Sequence, residues 1–128
     1  MLSSSNRLTS PVHFREVVRR GRRRGGQLIV VHLWTSHAQH GPVPAPPRVG
    51  FVVSRAIGPA VTRNLVKRRL RHLSRDRLHT LPPGSMLVVR ALPGAARAGY
   101  EELGRELDHC LTKLRRSEEL PVEAVISE

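Results

Sequence analysis

The 128-residue chain has one cysteine (Cys110), four aromatic residues (Phe14, Trp34, Phe51, Tyr100) and no apolar run longer than four residues, as in Leu28–Val31. A single thiol cannot form an internal disulfide, so the fold must hold without a covalent cross-link, which points to a reducing compartment or to indifference to redox. So few rings require an aliphatic core and leave little for a base-stacking platform. Four apolar residues fall far short of the roughly 20 that span a bilayer. The N-terminus lacks the apolar segment of a secretory signal. The expected location is the cytoplasm, with no membrane partner. Acid is scarce as well: 10 Asp+Glu stand against 22 Lys+Arg, a net charge of +12. Up to residue 71 the only acid is Glu16, against 14 cations, a surplus of 13, whereas residues 72–128 are close to neutral. Only Lys67 and Lys113 are lysine. Arginine's planar fork suits bidentate phosphate contact, which directs attention to nucleic acid.

A chain of this length makes one domain. The expected division is a basic N-terminal extension over residues 1–9, a folded domain over 10–116 and an acidic flexible tail over 117–128. Ser10 and Pro11 open a helix in which Phe14, Val17, Val18 and Gly21 recur at helical spacing. Gly21-Arg22-Arg23-Arg24-Gly25-Gly26 reads as a flexible basic loop after it. Branched residues predict strands over 28–34, 48–54 and 86–92. Residues 35–47, with four prolines in the last six positions, read as an exposed connection. A long basic helix is predicted over 60–77. The last helix carries the stripe Tyr100, Leu103, Leu107, Cys110, Leu111 and Leu114. The order helix, strand, strand, helix, strand, helix is that of an α+β protein, a two-layer sandwich of helices on a small mixed sheet.

Within the basic helix, Val66, Leu70 and Leu73 form a narrow apolar stripe. Arg63, Asn64, Lys67, Arg68, Arg71 and Arg75 share an arc about 140° wide at 100° per residue, with no acid inside it. Like charges at i,i+4 lower helix stability by a few tenths of a kcal/mol per pair. A solvated face normally intersperses both signs, so an acid-free face points to a polyanion.

With their flanks, these residues resemble a known signature. Arg63-Asn64-Leu65-Val66-Lys67-Arg68-Arg69-Leu70-Arg71, preceded by Ala56-Ile57-Gly58-Pro59-Ala60-Val61-Thr62 and by Arg48-Val49-Gly50-Phe51-Val52-Val53-Ser54, is similar to the motif set of the bacterial ribonuclease P protein family. Leu8, Phe14, Val17 and Gly21 match the family's first-helix spacing, and the likeness runs from about Arg7 to Leu114. The resemblance implies an α/β sandwich with a left-handed crossover through the basic helix. It also implies a non-catalytic subunit of an endoribonuclease whose partner RNA holds the Mg²⁺ ions and removes the 5′ leader of precursor tRNA. In that reading Arg63, Asn64, Lys67, Arg68 and Arg71, joined by Arg55, Arg69 and Arg75, contact the catalytic RNA. Phe14, Val18, Phe51 and Arg15 line a cleft for the leader. The partners are the catalytic RNA and the precursor leader, and no protein partner is implied. Two positions depart from the family pattern. Leu65 stands where an arginine is usual, with Arg69 near enough to compensate, and Val18 stands where many relatives carry an aromatic.

Other chemistries find little support. His37 and His40 have no cysteine or carboxylate close in sequence to complete a zinc site, and Cys110 belongs to the apolar stripe beside an off-stripe His109. No nucleophile elbow or Walker spacing occurs. A ribosome-associated rRNA-binding structural protein is the alternative function, and a protein-only nuclease would need clustered carboxylates outside the last helix.

Overall fold

The computed structural model describes residues 2–35 and 45–119. Three helices, α1 (Pro11–Arg20), α2 (Ala60–Arg75) and α3 (Tyr100–Glu119), pack on a sheet of four strands, β1 (Arg22–Gly25), β2 (Ile29–Thr35), β3 (Arg48–Val52) and β4 (Ser85–Ala91). The sheet order is β1-β2-β4-β3, with β3 parallel to β4 and the other pairs antiparallel. This is the expected mixed-sheet α+β architecture with one more strand. Arg22–Gly25, expected as a loop, forms an edge strand paired with β2. Its charged, unbranched sequence carries no strand signal, because an edge strand can leave charges facing water and gains its pairing from its neighbour.

Side chains alternate across the sheet. Ile29, Val31 and Leu33 of β2, Leu87, Val89 and Ala91 of β4, and Val49 of β3 meet α2 and α3 on one face in the main core. There α2 contributes the expected Val66, Leu70 and Leu73, and α3 contributes Leu103, Leu107, Cys110, Leu111 and Leu114. Burial, then the neighbouring Glu106, pushes the Cys110 thiol up from its ordinary range, so it stays protonated in the core. On the opposite face α1 covers a smaller cluster built on Leu8, Val17 and Val88.

Three boundaries differ from the sequence reading. Residues 2–9 are part of the domain and not an extension. Leu2 enters the main core and Leu8 the smaller one, while Arg7 bridges to Val49 and the Leu8 N–H donates to the Val49 carbonyl at 3.0 Å, covering the outer edge of β3. The helix α2 ends at Arg75, and α3 continues to Glu119, into the segment expected as tail. Most of the proline-rich connection, with His37 and His40, and the tail after Glu119 lie outside the described residues.

Local signals account for the helix ends and the turn before α2. Ser10 caps α1, its hydroxyl accepting from the His13 N–H at 3.4 Å. Gly58, between a short turn at Arg55–Ile57 and α2, has φ +147°, which a side chain would strain. Glu106 of α3 does more. Its carboxylate accepts the consecutive N–H groups of Gln27, Leu28 and Ile29 at 2.9, 2.7 and 2.7 Å, fastening the β1–β2 turn to α3. A Cβ on Gly26 would collide with that carboxylate. Arg77 clamps the end of α2 to α3 by two bonds to Asp108 (2.5 and 3.1 Å) and one to the Leu73 carbonyl (2.9 Å).

Candidate nucleic-acid interface

The outer face of α2 carries Asn64, Lys67, Arg68 and Arg75 exposed, with Arg63 and Arg71 half-buried at its margins. Among the described residues the one carboxylate paired with this face is Asp76, 3.6 Å from Arg75 just past the helix end. Arg63 is partly committed, its Nε donating to the Gly58 carbonyl at 3.2 Å. Arg55 is exposed on the turn that leads into α2. Leu65, the departure from the family motif, is 37% exposed.

Arg69 does not belong to this face. It lies on the other side of the apolar stripe and donates to the Ala98 carbonyl at 3.0 Å, fastening α2 to the segment before α3. One arm of the guanidinium expected to compensate for Leu65 is thus held by the fold. Arg69→Ala is expected to lower unfolding free energy by about 1 kcal/mol, the usual value of such a bond. RNA affinity of the folded protein should stay unchanged, as urea titration and filter binding can check.

The cleft expected for the leader would make a groove on the sheet face that α1 crosses. Strand registers place Val30, Arg90 and Val52 in one row, His32, Val88 and Gly50 in the next, and Trp34, Met86 and Arg48 in a third, with Arg23 beside His32. Phe14 packs against Gly50 so closely that a Cβ there would meet its ring. Phe14 and Val18 join Trp34, Val52 and Met86 around the small core. Arg15 is exposed on α1. Phe51, expected in the same cleft, has the opposite parity in β3 and packs against the main core. The two rings come together only at the β3 edge. There a depression of about 270 Å³ is lined by Phe14, Phe51, Leu2, Leu8, Arg7, Lys67 and Arg71. The Arg71 Nε is buried without a hydrogen-bond partner. This depression joins the groove to the basic face of α2.

His32, Trp34, Arg23, Arg90 and Arg48 were not singled out in the sequence. Their common face follows from strand alternation only once β1 and the register are known. Among the described residues no group of three His, Cys, Asp or Glu is placed to hold a metal ion, and no helix is long and apolar enough to cross a membrane.

The family model described as Ribonuclease P matches residues 2–115. The chain belongs to the ribonuclease P protein family. Ribonuclease P protein components of Streptomyces griseus and a Nocardioides species are 56% identical over 118 residues and 55% identical over 115 residues, each match covering 89% of this chain and 95% of the relative. The fold is similar to the RNase P protein of Staphylococcus aureus (TM-score 0.71, 21% identity, 84% of this chain and 93% of that one). It is also similar to the RNase P protein of Thermotoga maritima (TM-score 0.67, 24% identity, 86% and 96%). Membership in the ribonuclease P family places the chain in tRNA processing as an RNA-binding component of an endoribonuclease.

Proposed function

We propose that the protein docks the catalytic RNA of ribonuclease P on the basic face of α2 and takes the 5′ leader of precursor tRNA into the groove under α1, assisting removal of the leader and broadening the substrate range. The observation that carries this reading is the acid-free cationic face of α2, joined to the groove through the depression shared by Phe14, Lys67 and Arg71. The chemistry belongs to the RNA. In this reading Mg²⁺ is held by the RNA and substrate, where it would supply charge neutralisation at the scissile phosphate; among the described residues no group of three His, Cys, Asp or Glu is placed to hold a metal ion. The protein's part is positional: guanidinium and ammonium groups neutralise phosphates that would otherwise repel. The groove fixes the leader so that the scissile bond is presented in one orientation.

The test is reconstitution of precursor cleavage with the cognate catalytic RNA at low Mg²⁺. Stimulation over RNA alone is expected, and its absence would remove the proposal. A structural protein of the ribosome would co-sediment with subunits and leave cleavage unchanged. A second prediction concerns the groove. Gly50→Ala should push Phe14 and α1 off the sheet, costing about 1–3 kcal/mol as overpacked sites do. It should weaken binding of leader-bearing precursor while leaving binding of leaderless tRNA to the holoenzyme intact. Equal affinities for wild type and variant would place the leader elsewhere.

A further inference from the structure

His32 is 5% exposed, and its Nδ1 is buried without a hydrogen-bond partner. Arg23 stands directly opposite it across the β1–β2 pair, and Arg90 stands on the diagonal across β2–β4. Cross-strand neighbours of this kind have Cβ atoms about 5 Å apart, and diagonal ones about 7–8 Å. Both arginines are exposed, and neither has a partner among the described residues. Three half-buried arginines elsewhere are spent on the fold: Arg22 on the Leu114 carbonyl, Arg69 on Ala98 and Arg77 on Asp108. Among the described residues the strands around His32 bring no carboxylate to this face. From β1 it receives Arg23, from β4 Arg90, Val88 and Met86, and from β3 Gly50, Val52 and, in the far row, Arg48. The apolar stripe of α1 (Phe14, Val17, Val18, Gly21) turns toward the sheet. The helix's ionisable residues, His13, Arg15, Glu16, Arg19 and Arg20, fall off that stripe, with Glu16 about 150° from its centre.

We propose that Arg23, His32 and Arg90 form a seat for one phosphodiester group of single-stranded RNA, toward the β1 side of the groove. The assignment to the leader rests on the groove reading above. The two guanidiniums would donate to the non-bridging oxygens, and the imidazole, on taking a proton from solvent, would become a further donor. Burial, then Arg90 and Arg23, hold the imidazole of the free protein below its ordinary 6.5. A phosphate between the arginines reverses the sign of the local charge and favours the imidazolium. Leader binding is therefore coupled to proton uptake and is tighter near pH 6 than near pH 8.

The experiment uses the holoenzyme assembled with its catalytic RNA, a precursor with a leader of about five nucleotides and the same tRNA without a leader. Arg23→Gln and Arg90→Gln are surface changes that leave the core intact. Together they should weaken precursor binding roughly tenfold, as loss of charge-assisted bonds does, and remove about 0.7 from its salt slope, with leaderless tRNA unaffected. In the free protein, a five-nucleotide single-stranded RNA should raise the pKa of the His32 ring followed by NMR, but not in the double variant. Wild-type precursor affinity in the double variant, or a His32 titration unmoved by RNA, would overturn the seat. If Gly50→Ala still weakened the precursor selectively, the groove reading would survive that result. An equal loss for leaderless tRNA would give the arginines to another part of the RNA and overturn the assignment to the leader. If Gly50→Ala also failed to discriminate the two substrates, the groove reading itself would fall.

Discussion

Exchange of Lys67, Arg68 and Arg71 for glutamine should weaken assembly with the catalytic RNA on the order of a hundredfold, at 1.5–3 kcal/mol for a buried charge-assisted bond and less at an exposed one. The salt slope should flatten by about two units, at roughly 0.7 for each phosphate that is no longer neutralised. The same substitutions should act on the free protein with the opposite sign. They relieve the Arg63–Lys67, Lys67–Arg71, Arg68–Arg71 and Arg71–Arg75 repulsions, each a few tenths of a kcal/mol at i,i+3 or i,i+4 spacing. The helix then becomes more stable alone while binding becomes worse, a combination that damage to the fold cannot produce. Filter binding across a salt series and helical circular dichroism on heating measure the two halves. A triple variant with an unchanged slope would put the RNA on another surface.

Glu106→Ala should be the most destabilising of the single changes considered. It leaves three consecutive N–H groups of the β1–β2 turn without their carboxylate, and bonds to a charged acceptor contribute about 1.5–3 kcal/mol each when well buried. Glu106 is half-buried and water can reach the outermost group, so a loss of about 2–4 kcal/mol is expected. For a domain of this size that lowers Tm on the order of 15 °C. Glu106→Gln should recover part of the loss, since the amide oxygen still accepts. Thermal and urea unfolding decide this. A loss below about 0.5 kcal/mol would mean that solvent replaces the carboxylate at little cost.

Where period and capping determine structure, the sequence was sufficient. Ser10 caps α1, and Val66, Leu70 and Leu73 point α2 at the sheet. The stripe of α3 is buried from Leu103 to Leu114, while Tyr100 at its head is 42% exposed. The cationic arc of α2 followed from the same spacing. The misses lie where tertiary partners decide. Arg22–Gly25 becomes a strand because β2 offers it an edge. Glu106 lies off the apolar stripe and reads as a surface acid until the turn it holds is seen. Phe51 has the parity of the core yet meets Phe14 in the depression at the β3 edge, and Arg69 differs from Arg68 only by one 100° step around the helix. Such distinctions depend on register and on chain segments up to about 80 residues apart, as with Glu106 and the Gln27 N–H, which no local pattern encodes.

The position of β4 has a further consequence, for the order in which the protein can be built. The strand lies between β2 and β3 yet follows both in the chain. While the polypeptide emerges from the ribosome, β2 can pair only with β1, and β3 has no neighbour on its inner side until Ser85–Ala91 has been made. The two halves of the sheet are thus separate, with open inner edges, until two-thirds of the chain exists, and the face that α1 covers cannot close before then. The sheet becomes continuous only when this strand takes its place between β2 and β3.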